Sequence, residues 1–120
     1  MLGVVAALAL MAAAAGHHVD SGVKGIVTLG PTCPVEKPGD PNCRDRPYAV
    51  TLKVVRARDH SLVKRFASRA DGRFRAHLAT GRYLIEKAAG GALPSLSPTP
   101  VRVGRHRFTR VVLQFDSGIR

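Results

Sequence analysis

Asp71-Gly72-Arg73-Phe74-Arg75-Ala76-His77-Leu78-Ala79-Thr80-Gly81-Arg82-Tyr83 is the stretch whose reading decides the fold. Asp71-Gly72 and Thr80-Gly81 supply turn chemistry at its two corners. Between the corners Phe74, Ala76 and Leu78 point one way, and Arg73, Arg75 and His77 point the other. A period of two is that of a strand with one face in a core and one in water. After Gly81 the chain resumes with Tyr83 and Ile85 as inward residues of a further strand. The same grammar holds outward in both directions, with short apolar or alternating runs separated by turn residues every ~8–12 positions. The runs are 22–29, 48–57, 62–69, 73–78, 82–88, 101–103 and 108–115. No segment after residue 20 keeps a 3.6-residue period over ten positions. The expectation is an all-β, seven-stranded antiparallel β-sandwich. Its core comprises Val27, Val50, Leu52, Val54, Phe74, Leu78, Tyr83, Ile85, Val111, Leu113 and Phe115. Residues 89–100 carry three prolines and two glycines and read as a long loop crossing between sheets.

Asp71-Gly72-Arg73-Phe74, Leu78 and Gly81-Arg82-Tyr83 resemble the D-G-x-F…L…G-x-Y stretch of carboxypeptidase regulatory-like domains. These are grouped with the transthyretin-like (prealbumin-like) and collagen-adhesin B-type sandwiches. Gly22-Val23-Lys24-Gly25-Ile26-Val27 is similar to the first strand of that family, and the resemblance covers roughly residues 22–115. It implies a folding or binding module rather than a particular chemistry. Transthyretin-like hydrolases carry an H-x-H element and a terminal Y-R-G-S. Here His106 stands alone in Arg105-His106-Arg107 and the chain ends Asp-Ser-Gly-Ile-Arg, so the resemblance does not extend to that activity. Collagen-adhesin domains can form an internal isopeptide bond, for which Lys24, Asp116 and Glu86 are the candidates. Glu86 has the wrong strand parity and Asp116 lies past the last apolar residue, so all three read as solvated charges.

A chain of 120 residues accommodates one domain. Residues 2–15 are apolar or small without interruption. That is shorter than the ~20 residues of a spanning helix, and it matches a secretory h-region with an A-x-A site. Cleavage is expected after Ala15, although no Lys or Arg precedes the run. The division is then a signal peptide at 1–15, a linker at 16–21, the sandwich at 22–116 and a tail at 117–120. The mature form is expected to be secreted or periplasmic, with no transmembrane segment. Cys33 and Cys43 bracket a proline-rich segment, and in an exported chain they read as a structural disulfide. A mature terminus beginning Gly16-His17-His18 would offer Cu(II) an amine, amides and an imidazole; the alternative is a frayed tail with incidental histidines. No resident cofactor is expected.

Positive chemistry for an enzyme is lacking. Ser61 beside His60 lies in a turn, Asp59 and Asp71 are turn residues, and no glycine-rich phosphate loop opens a helix. Charge is the strongest remaining feature, at net +11, with fourteen of the nineteen cations being Arg. Arginine pairs well with sulfate, phosphate and carboxylate. Arg65, Arg73, Arg75, Arg105, Arg107 and Arg110 are the candidate anion-binding residues. Either the cations spread evenly over the surface, or they form a stripe that takes an anionic polymer such as polysaccharide, phospholipid headgroups or DNA. Sequence-specific nucleic-acid reading is not expected, since neither a recognition helix nor a stacking-aromatic motif is present. The expected role is a non-enzymatic binding or structural module, with the basic anion binder and a small transthyretin-like hydrolase as rivals.

Overall fold

A computed structural model describes residues 20–33 and 43–119. The described residues form eight strands and no α-helix: β1 (Gly22–Gly30), β2 (Arg46–Pro47), β3 (Thr51–Arg56), β4 (Leu62–Ala67), β5 (Arg73–His77), β6 (Gly81–Lys87), β7 (Thr99–Val103) and β8 (Phe108–Asp116). Burial alternates one for one along β5, as the sequence pattern requires, and nearly so along β8.

The strands make two sheets. In the first, β1 is central. β8 pairs with its whole length in parallel, from Gly22↔Phe108 to Gly30↔Asp116. β5 and β2 pair antiparallel with β1, β5 against residues 22–26 and β2 against 28–29. Because β8 occupies one edge of β1 throughout, β5 and β2 share the other edge end to end. The second sheet has the order β4-β3-β6-β7 and is antiparallel throughout. Both sheets turn one face onto a common core that includes Val23, Val27, Leu52, Val54, Phe74, Ile85, Leu113 and Phe115. The expected core is recovered, with Val50 packed at its margin, and Val23, Ala76, Val101 and Val103 join it.

The expectation of seven antiparallel strands is corrected in three places. First, β1 and β8 run parallel, because these chain-distant strands are not joined by a hairpin and no turn dictates their direction. Second, the run 48–57 is not one strand. Tyr48 donates its N–H to Val27 O in the first sheet, whereas Ser68 donates to Val50 O in the second, so residues 48–50 carry the chain between sheets. The extra strand β2 precedes this crossing. Third, β7 begins at Thr99 and admits Pro100, which an edge strand tolerates because its outer N–H has no ladder partner to lose. The loop before β7 is tied down where Ser95 and Asp116 exchange backbone hydrogen bonds at 2.9 and 2.8 Å.

Two turns show why their residues are needed. Asp71 accepts the N–H of Arg73 at 2.9 Å, and Gly72 adopts φ +81° with its carbonyl accepting from Val27 N at 2.8 Å. At the next corner, the Tyr83 hydroxyl donates to Ala79 O at 2.7 Å, which locks the entry into β6. Cys33 and Cys43 form the expected disulfide, with Cα atoms 5.2 Å apart. The tail is anchored as far as Ser117, whose N–H donates to Gly30 O and whose hydroxyl donates to Pro31 O.

Candidate anion-binding site

Along β1, Val23 and Val27 are fully buried, so strand parity turns Lys24, Ile26 and Thr28 to the outer face of the first sheet. Lys24 lies directly between Arg75 on β5 and Arg110 on β8. With strands ~4.8 Å apart, three cations stand abreast in a row about 10 Å wide. Arg73 lies beside Ile26, with Val112 on the far side of β1. Arg69, from the β4–β5 connection, joins them around an open hollow of ≈ 610 Å³ whose lining contains no acid.

The row has internal order. The Arg75 guanidinium lies 4.0 Å above the centre of the Phe108 ring, and His77 meets the same ring edge-on at 5.2 Å. Stacking holds Arg75 in place while leaving its fork of N–H groups outward. Among the described residues, the carboxylate paired with the group is Asp71, 4.0 Å from Arg73 Nε and already engaged with the Arg73 backbone. Like charges directly opposite on neighbouring strands repel, which destabilises the pairing. An anionic ligand removes that cost.

The structure therefore brings together Arg73, Arg75 and Arg110 of the expected residues and adds Lys24 and Arg69. Arg65 does not join them. It lies opposite Lys53 on the outer face of the second sheet, where Glu86 pairs with Lys53 at 3.6 Å and with His60 at 3.1 Å. Arg105 and Arg107 lie in the β7–β8 turn and do not line the hollow at the row. Arg105 lines a separate hollow of ≈ 440 Å³ with Arg82 and Arg102, and Arg107 lines neither hollow. Between them His106 binds Asp20, and this hydrogen bond holds the Asp20 carboxyl below the ordinary aspartate range. Parity alone could have marked Lys24, since it alternates with Val23. Its neighbours depend on register, which the sequence does not display.

Both described His–carboxylate contacts, His60–Glu86 and His106–Asp20, have exposed imidazoles and lie outside these hollows. Lys24 and Glu86 occupy opposite outer faces, and Asp116 caps Gly118 N at the end of β8, so the isopeptide candidates do not meet. No group of three or more His, Cys, Asp or Glu able to hold a metal forms among the described residues. The expected signal peptide and the copper candidates His17 and His18 lie outside the described residues. Within them no helix is long and apolar enough to cross a membrane.

No family model matches this chain, and no curated protein does. Among solved structures, the Bacillus anthracis TIE protein is similar with a TM-score of 0.47 and 12% identity over 81% of this chain. The match spans 17% of that chain.

Proposed function

We propose that this chain is an exported, non-enzymatic β-sandwich module of the carboxypeptidase regulatory-like and transthyretin-like kind. Its role is to bind an acidic polysaccharide on the outer face of the first sheet. The observation that carries the reading is the row Arg75–Lys24–Arg110, three cations abreast over a hollow whose lining contains no acid. Regularly spaced sulfates or carboxylates complement such a row, and each arginine can take an oxyanion through two parallel hydrogen bonds. The Cys33–Cys43 disulfide supports an oxidising compartment. The Asp71-Gly72 turn and the Tyr83 corner support the fold kinship. Retention on immobilised heparin tests the binding. The wild-type protein should need salt well above ~0.15 M for elution, and the Lys24→Gln/Arg110→Gln variant should elute at clearly lower salt than the wild type. Equal elution of the two would refute the reading.

One observation favours phospholipid headgroups instead. Val112 is 65% exposed beside the cations, and an apolar residue within a basic patch suits a membrane interface. On that reading Val112→Ser weakens sedimentation with anionic vesicles and leaves heparin retention unchanged.

A further inference from the structure

The outer face of the second sheet carries its own unbalanced pair. Tyr83, Val101 and Val103 are buried, so Arg82 on β6 and Arg102 on β7 turn outward, and the two are direct cross-strand partners. Their Cβ atoms are then ~5 Å apart, and like charges at that spacing repel. Arg105 closes the same hollow from the β7–β8 turn. An adjoining hollow of ≈ 580 Å³ shares Arg82 and adds Arg56 and Arg58. Neither lining contains an acid. Glu86 is committed to Lys53 and His60 and Asp20 to His106, while Asp59 binds Ser61 and, at the adjoining hollow, Arg58. Among the described residues no ion pair reaches Arg82, Arg102 or Arg105.

We propose that Arg82, Arg102 and Arg105 form a second oxyanion site, for the sulfate or phosphate group of a second acidic polysaccharide chain, so that one molecule cross-links two chains. Outward-facing sites on the two opposed sheets are what cross-linking requires. The cross-linking rests on the binding proposed for the first face, whereas the second site stands on Arg82, Arg102 and Arg105 without it. A fork-shaped pair of guanidiniums suits a tetrahedral oxyanion, which accepts from both and cancels their repulsion.

Two variants test this. Arg102→Glu turns the repelling pair into an ion pair, so it should melt at or above the wild-type temperature, and lost binding cannot then be put down to unfolding. Lys24→Gln/Arg110→Gln removes the first face. Inorganic sulfate and inorganic phosphate, titrated separately, should shift the Arg82 and Arg102 side-chain N–H resonances in the wild type and in the first-face variant. In Arg102→Glu the affinity for the preferred ion should fall at least tenfold. With long heparin chains the wild-type protein should scatter light maximally at an intermediate ratio and clear in excess polymer, and each variant should bind without scattering. Wild-type scattering by Arg102→Glu, or absence of the Arg82 and Arg102 shifts from the first-face variant, overturns the proposal. If the first-face variant keeps full heparin retention, the first reading fails while the sulfate and phosphate titrations still decide the second site.

Discussion

Asp71 and Ser68 show how single polar side chains hold this fold. Asp71 accepts the Arg73 N–H, and that contact starts β5 in the register that aims Arg73 and Arg75 outward. Ser68 is buried, donates to Tyr48 O at 2.7 Å and accepts from Val50 N at 2.9 Å. It thereby fixes the segment that passes between sheets. Ser68→Ala strands the Val50 N–H and should cost about 1–3 kcal/mol in a urea titration. A loss under about 0.5 kcal/mol would mean that water takes the place of the hydroxyl. Asp59 gives a pH signature. Its carboxylate accepts from the Ser61 hydroxyl at 2.7 Å and the Ser61 N–H at 3.0 Å, and these bonds hold it below its ordinary value of 3.8. A carboxyl lowered on folding contributes stability above 3.8 and loses it as pH falls through the folded value. Asp59→Asn should therefore flatten the acid limb of the stability curve below pH 3.8 and leave its neutral shape unchanged. An unaltered acid limb would assign acid unfolding to other carboxylates.

At the scale of strands, legibility followed locality. β5 and β6 were readable because strict alternation and two turn signals lie within one short stretch, and Phe74, Ala76, Leu78, Tyr83 and Ile85 are buried as read. The core face of β8 was readable for the same reason. The crossing at residues 48–50 was not, since Tyr48 and Val50 continue the apolar alternation while their backbone partners sit in different sheets. The cation row was half legible: parity put Arg73, Arg75 and Arg110 on outward faces, but Lys24 completes the row only through its pairings with β5 and β8. The Arg82–Arg102 pair went unread for the same reason, because it exists only in the β6–β7 register. Gly25 makes the central pairing possible. A Cβ there would sit 1.7 Å from Val111 O on β8, a clash with backbone that no rotamer relieves. Gly25→Ala must push β8 from β1. It should cost at least about 1–3 kcal/mol and also weaken heparin retention by moving Arg110 away from Lys24. A variant that keeps wild-type stability and retention would refute this account of the β1–β8 contact.

Over the whole molecule, the staple and the charged faces serve separate ends. The disulfide lies just beyond β1, and it ties Cys33 to the chain that enters β2 and the crossing into the second sheet. β2 contributes only two paired residues, so little ladder holds that entry without the bridge. Among the described residues, the Thr32 hydroxyl donating to Arg44 O at 3.1 Å, the Gln114 amide donating to Asp45, and the Tyr48 ring packed edge-on against Phe115 also hold this entry. Opening the 11-residue loop removes a chain-entropy contribution of about 2.8 kcal/mol. For a domain of this size, that corresponds to a melting temperature lower by about 10 °C or more. Lys24 and Arg110 pair six residues before Gly30 on β1, roughly 20 Å from that end of the strand at ~3.3 Å per residue, and the staple follows only after it. Reduction should therefore lower the melting temperature and leave heparin retention unchanged at temperatures where the protein stays folded. Cys33→Ser/Cys43→Ser should behave like the reduced protein in calorimetry and on the column. An unshifted melting temperature would mean that Tyr48, Asp45 and Thr32 hold the crossing unaided. A fall in retention without unfolding would mean that β2 transmits strain along β1 to the cation row.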